Sequence, residues 1–245
     1  MDYLKELTLY KSPYQKKRVG NAGDGGYVIC ELPDNYDVLI SGGISDNITF
    51  EDHFLELFPQ ITCFAFDGTV DGLPCKNPKI TFVRKNLGAE NTESLSNLQE
   101  YLEPFQNIFM KIDIEGHEYN LFPAFSEKHM TKIKQLIVEI HTPADIKVKP
   151  LYYHDVGHIT NSDMYDMIKT ISKTHTLVHL HGNNGSRLCH MIEGVIVPNV
   201  FECTFIRNDF IPNKVLNDEP LPTSLDSPNL VGAPDFSLKG FPYSI

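Results

Sequence analysis

Nothing in this chain of 245 residues approaches the uninterrupted apolar stretch of roughly 20 residues that crosses a bilayer. Its opening, "MDYLKELTLYKSPYQKKR", also lacks the apolar segment of a secretory leader. The expectation is an intracellular, cytoplasmic protein with no transmembrane segment. Cysteine is sparse as well. The five residues, Cys30, Cys63, Cys75, Cys189 and Cys203, include no C-x-x-C pair. A disulfide framework is therefore not expected, and the three cysteines in apolar runs read as buried free thiols. Positive charge is the third shortage: 21 Lys and Arg stand against 32 Asp and Glu, a formal net charge of −11. Nucleic-acid binding runs on clustered Lys and Arg. The single basic cluster, Lys16-Lys17-Arg18, is short, so no nucleic acid is expected as partner.

What is present is enough for one substantial core, with 41% hydrophobic residues and 22% charged. Candidate strands are "DVLIS" (37–41), "ITCFAF" (61–66), "ITFVRK" (80–85), "NIFMKID" (107–113), "QLIVEIH" (135–141), "HTLVHLH" (175–181) and "FECTFIR" (201–207). Several are continuous apolar runs, which suits strands covered on both faces. Helical spacing appears between them: Phe50, Phe54 and Leu57 behind Thr49, then Leu95, Leu98 and Leu102, then Tyr165, Ile168 and Ile171 behind Ser162. Strand alternating with helix predicts an α/β fold with a mostly parallel seven-stranded sheet and helices on both faces. The last two strands have no helix between them, which predicts an antiparallel pair at one edge. The chain reads as a single domain over 1–245. An N-terminal segment (1–36) carries Asp24-Gly25-Gly26-Tyr27, an α/β core covers 37–210, and an irregular tail (211–245) packs on the core.

Ligands of open parallel sheets bind outside the carboxyl ends of the strands. After the first core strand, Gly42 and Gly43 allow a sharp turn and a close approach. After the second comes Asp67-Gly68, with Asp67 24 residues beyond Gly43. An acid at about that distance from a glycine turn is where ribose hydroxyls are held. After the fourth comes "KIDIEGHE" (111–118), a buried-looking strand that ends in Asp113, Glu115, His117 and Glu118. Glu139 and His141 lie two apart on the next strand and so face the same way. Two carboxylates and an imidazole can bind Mg²⁺ or Mn²⁺. Asp113, Glu139 and His141 are the candidate ligands; His117 or His141 is the candidate base if no metal is present. His181 and Asn183, in "HGNN", could reach the same pocket and join Glu115 on substrate hydroxyls. The tyrosines of "YYHDVGHITNS" (152–162) could form a lid or simply pack as surface.

"KIDIEGHEYNLF" closely resembles the fourth-strand motif of FkbM-type methyltransferases, which use S-adenosylmethionine. "RVGNAGDGGYVI" (18–29), "LISGGISDNITFE" (39–51), "FDGTVDG" (66–72), "NLG" (86–88), "VEIH" (138–141), "PNVFECTFIR" (198–207) and "LPTSLDSPN" (221–229) are similar in order as well. The resemblance implies a Rossmann-like class I methyltransferase fold. It implies S-adenosylmethionine held by Gly42, Gly43, Asp67, Gly68 and Asp113, with Phe66 and Asn86 near the adenine. The usual acid-x-G-x-G motif is altered, since Ser41 precedes Gly42-Gly43-Ile44-Ser45. Asp24, Asp46 or the amides near Ser45 are the candidates to hold the methionine part.

The resemblance further implies O-methylation of a sugar or glycan hydroxyl, with Asp113, His117 and His141 as catalytic candidates. Two other classes stay open at this point. A nicotinamide-dependent oxidoreductase normally carries G-x-G-x-x-G where this chain reads "GGISDN". A binding module that has lost catalysis would leave eroded strand ends, whereas Asp67, Asp113, Glu115 and Glu139 are all present.

Overall fold

The computed structural model describes residues 4–185 and 187–245. A hairpin comes first, with β1 (Lys16–Gly20) antiparallel to β2 (Gly26–Cys30). The core follows as β3 (Val38–Gly42), α1 (Thr49–Leu57), β4 (Cys63–Phe66) and β5 (Ile80–Val83). Two short paired strands, β6 (Asn86–Leu87) and β7 (Leu95–Ser96), lead through α2 (Gln99–Leu102) to β8 (Ile108–Ile112). Then come α3 (Glu118–Leu121), α4 (Glu127–Met130), β9 (Ile133–His141), α5 (Pro143–Val148) and α6 (Asn161–Ser172). The series ends with β10 (His175–Gly182), a hairpin of β11 (Cys189–Ile192) and β12 (Val195–Pro198), and β13 (Val200–Arg207).

Seven strands form one sheet in the order β10-β13-β9-β8-β3-β4-β5. Neighbours from β9 to β5 are parallel, and β13 is antiparallel to both β9 and β10. This is a Rossmann-like arrangement, an open and mostly parallel sheet with one antiparallel strand. The antiparallel pair lies at the expected edge, with β13 one place in from the rim. From β3 the chain moves outward to β4 and β5, then returns to β8 on the other side of β3. That reversal opens a crevice at the strands' carboxyl ends.

Every residue of β3, β8 and β9 is buried, which accounts for their continuous apolar runs. Successive residues serve opposite faces. Val38, Ile40, Met110 and Val138 join α6 on one side; Leu39, Phe109 and Ile137 join α1 and the β1–β2 hairpin on the other. The second face is aromatic: Phe54 lies 4.3 Å from Phe109 and 5.8 Å from Phe50, ring centre to ring centre. This packing fixes the hairpin against the sheet and carries Tyr27 beneath the strand ends.

Two local expectations are corrected. The helix read from Leu95, Leu98 and Leu102 shrinks to the four residues of α2. Ser96 Oγ accepts the Leu98 amide at 3.2 Å and Asn97 Oδ1 the Gln99 amide at 3.3 Å, so short polar side chains compete with a helical backbone there. Helix α6 begins at a capping box of Thr160 and Asp163, two residues before the Ser162 start. Among the described residues no helix is long and apolar enough to cross a membrane.

Candidate functional site

Three strand ends close tightly before any cavity can form. The Gly43 amide donates to Phe66 O at 2.9 Å, and the Asp113 amide to Gly42 O at 3.0 Å. Gly43 has φ +75°, and a Cβ there would stand 1.5 Å from Asp113 O. Only glycine lets these two backbones meet. The buried Lys111 spans the same junction, its ammonium donating to Gly43 O at 2.6 Å.

Above this junction is a cavity of about 370 Å³. Gly43 and Ser45 bound it after β3, Phe66, Asp67 and Thr69 after β4, and Asp113, Glu115 and His117 after β8. Asn86 and Leu87 form a further side, and residues 152–156 close it. The size and the mixed apolar and polar lining suit a nucleoside. Asp67 also organises its own walls. One oxygen accepts the Ser45 amide at 2.8 Å, the other the amide and hydroxyl of Thr69 at 2.7 and 2.6 Å. Burial pushes the Asp67 carboxyl up, but the Thr69 and Ser45 donors outweigh it and leave it below the ordinary range. Ser45 takes a left-handed φ of 45° where the third small residue of the motif would stand.

A second cavity, about 360 Å³, adjoins the first. Asp113, Glu115, Tyr152 and Tyr153 border both. Its other walls include Glu139 and His141 of β9, Lys149 after α5, Asn183 after β10, Asp24 of the hairpin turn, and Asn229 and Leu230 of the tail. At the shared rim Tyr27 Oη lies 3.1 Å from Asp113 Oδ2 and 3.2 Å from Glu139 Oε2. Asn183 Nδ2 donates to the other Glu139 oxygen at 2.8 Å. His141 is held from both sides, with Nε2 3.1 Å from Glu115 Oε2 and Nδ1 3.4 Å from Glu118 Oε1.

The electrostatics follow from this crowding. Burial pushes Asp113 up to about 6, although Lys111 and His141 pull it down. Glu139 is raised well above the carboxylate range, first by burial and then by Asp113. Burial also works against ionised Glu115, but the hydrogen bond and charge of His141 hold it down to about 2. His141 is itself raised well above the ordinary imidazole range because the two glutamates overcome its burial. Glu115 adopts φ 55°, so its backbone is strained into the position that reaches His141.

The strand-end candidates converge: Gly43, Ser45, Phe66, Asp67, Asn86, Asp113 and His117 all border the first cavity. Gly42 and Gly68 lie just behind it, with the Gly68 amide on Asn86 Oδ1 at 3.1 Å. Four expectations are corrected. Asp46 is exposed and borders neither cavity. Asp24 faces the second cavity, not the first. His181 borders neither, because Glu202 and Asp235 take its two ring nitrogens at 2.9 Å each. His141 has no free nitrogen to act as base while both glutamates hold it.

Tyr27, Glu118, Lys111 and Asn229 were not among the candidates. Tyr27 stood in plain sight inside the D-G-G-Y turn, but nothing in a single sequence says how far a hairpin reaches. Glu118 looked like one more solvated acid, yet its side chain is fully buried.

No known family profile matches the chain, and no curated protein is similar to it in sequence. Some solved structures share the outline. A fibrillarin/Nop5p complex shows 10% identity over 72% of this chain and 74% of that one, with a TM-score of 0.41. The plantazolicin methyltransferase BpumL, bound to a triazolic desmethylPZN analog and SAH, shows 12% identity over 72% and 78%, at 0.43. The precorrin-6y C5,15-methyltransferase from Geobacter metallireducens GS-15 shows 11% over 72% and 81%, at 0.31. All are distant, and the fold assignment stands on the strand order instead.

Proposed function

We propose that this chain is an S-adenosylmethionine-dependent O-methyltransferase that methylates a hydroxyl of a sugar or glycan. The observation that carries the reading is the nucleoside-sized cavity at the ends of β3, β4 and β8, which meets a second, polar cavity at Asp113. The residues suit the cofactor. Phe66 and Leu87 offer apolar contact for a base, Asp67 keeps a carboxylate by the ribose position, and Asp113 and Glu115 put negative charge where a sulfonium would lie. When bound, S-adenosylmethionine supplies an electrophilic methyl group.

The chain's own part is to orient an acceptor oxygen and receive its proton. Asp113 suits this best, because it touches both cavities and burial brings its carboxyl to about 6, near working pH. His117 borders only the cofactor cavity. The polar walls of the second cavity, with Asp24, Glu139, Lys149, Asn183 and Asn229, suit a hydroxyl-rich ligand such as a sugar. A divalent cation, Mg²⁺ or Mn²⁺, is the alternative to Asp113 as base, with Asp113, Glu139 and His141 as the residues that would hold it; when bound it would lower the pKa of an acceptor hydroxyl.

Calorimetry with S-adenosylhomocysteine and with NAD tests the cofactor assignment. Micromolar binding of the first and none of the second is expected; the reverse makes the chain a nicotinamide protein. Methyl transfer from labelled cofactor to a glycan panel, with and without EDTA, tests the acceptor. Cofactor binding with no transfer to glycans, lipids, phenols or peptides favours a binding module.

A further inference from the structure

We infer that a third cavity, between the turn after β10 and the C-terminal tail, is a subsite for a carboxylate-bearing sugar unit, which makes the acceptor an acidic oligosaccharide; this rests on the sugar reading above and adds the acceptor's class to it.

The cavity has a volume of about 280 Å³, and its lining includes Asn184, Arg187, Gly232, Asp235 and Phe236. Only a turn of chain separates it from the second cavity. Asn183 and Gly185 border the second, Asn184 and Arg187 the third. The tail repeats the division, with Asn229 and Leu230 on the second cavity and Gly232 on the third. Consecutive Cα atoms are about 3.8 Å apart, so a short run of sugars can cross this turn and occupy both.

The wall between turn and tail is built in advance. Asn184 is 1% exposed; its Oδ1 accepts the Leu230 amide at 2.8 Å, and its Nδ2 donates to Ala233 O at 3.2 Å. A preformed wall spares a ligand the cost of ordering it. Phe236 is half-buried and packs over the end of β10, where a Cβ on Gly182 would lie 3.2 Å from its ring. It offers an apolar surface for the C–H face of a sugar.

Charge supplies the class. The chain has four arginines. Arg84 and Arg207 pair with Asp71 and Asp209, and Arg18 donates to the carbonyls of Asn21 and Gly23. Among the described residues the exposed Arg187 has neither an ion pair nor a side-chain hydrogen bond. Asp235 does not answer it, because Oδ2 lies 2.9 Å from His181 Nε2 and Oδ1 accepts the Phe236 amide at 3.0 Å. A free guanidinium fork matches a carboxylate. The net charge of −11 disfavours a densely charged polymer, so isolated acidic units on a short oligosaccharide fit best.

The probe is D-galacturonate, with D-galactose as its neutral match, each titrated into the full chain and followed by saturation-transfer NMR. Galacturonate should bind at least about tenfold more tightly, the scale of one charge-assisted hydrogen-bonded pair. Arg187→Gln should abolish that preference and Arg187→Lys restore part of it; the side chain is exposed, so neither should disturb the fold. Phe236→Leu should weaken both sugars alike. Trigalacturonate, long enough to reach Asn183, should gain roughly tenfold or more over the monomer, and Asn183→Ala should remove the gain. Equal binding of the two monosaccharides, an unchanged preference in Arg187→Gln, acetate binding as tightly as galacturonate, or a trimer no tighter than the monomer overturns the subsite. S-adenosylhomocysteine affinity, measured on the same preparation, should be unchanged in Arg187→Gln. Its absence from the wild type would sink the cofactor assignment and leave the sugar subsite standing.

Discussion

A methyl group on Gly43 would meet the Asp113 carbonyl at 1.5 Å, and the backbone there is left-handed at φ +75°. Gly43→Ala must therefore push β3 and β8 apart at the point where both cavities begin. We expect a loss on the order of 2–4 kcal/mol in stability and at least tenfold weaker binding of S-adenosylhomocysteine. Gly72→Ala is the control, since nothing lies within 4 Å of its would-be Cβ; it should stay within about 0.5 kcal/mol of wild type. Urea unfolding and calorimetry read both. Equal effects of the two substitutions would contradict the close approach. At this scale the sequence was half legible. The glycine pair announced a turn, but the neighbour that demands glycine is the carbonyl of a residue 70 positions on, and no local pattern reveals it. Asp67 was likewise recognisable by position, while its use of three donors from two loops was not.

Elements were read well wherever burial alone set the pattern. All seven strands of the main sheet lie where the apolar-rich runs placed them, because strands covered on both faces are mostly apolar, with polar residues such as Lys111, Gln135, Glu139 and His181 buried among them. Elements governed by local polar bonds were harder. The Leu95–Leu102 spacing mimics a helix, but Ser96 and Asn97 tie up the amides that would continue it. The β1–β2 hairpin was hidden by its glycines, and with it the reach of Tyr27 to the site. Helix α6 gives a direct test of cap reading. Thr160 accepts the Asp163 amide, and Asp163 Oδ2 accepts the Thr160 amide at 2.8 Å. Thr160→Ala should cost about 1 kcal/mol, measured by chemical denaturation. A neutral result would mean that α6 is held by its buried Met164, Met167, Ile168 and Ile171 alone.

At the scale of the whole molecule the C-terminal tail is tied to the sheet by buried histidines on β10. His181 stands between Glu202 of β13 and Asp235 of the tail, and His179 Nε2 meets Asp226 at 2.8 Å. Burial opposes a charge on His181, but Asp235 and Glu202 raise it to about 10. In the unfolded chain it returns to about 6.5. A raised folded pKa means that the stabilisation is complete below the unfolded value and is lost as pH rises through the folded one. Between about 7 and 10 the folded chain keeps a proton that the unfolded chain has released. Stability from this group should fall there by up to about 1.4 kcal/mol per pH unit. His175 acts at the other end of the scale. Burial pushes it down to about 4, so it costs stability as pH falls from about 6.5 towards 4. Urea unfolding at pH 7, 8 and 9 separates the two. Wild type should lose stability more steeply than His181→Gln, whose alkaline slope lacks this contribution, and Asp235→Asn should fall between them. Parallel slopes for all three would mean that the tail is held without the imidazolium. Asn229 and Leu230 on that same tail form a wall of the second cavity. Loosening it at alkaline pH should therefore weaken the acceptor side before the cofactor side, which S-adenosylhomocysteine affinity, unchanged from pH 7 to 9, would report.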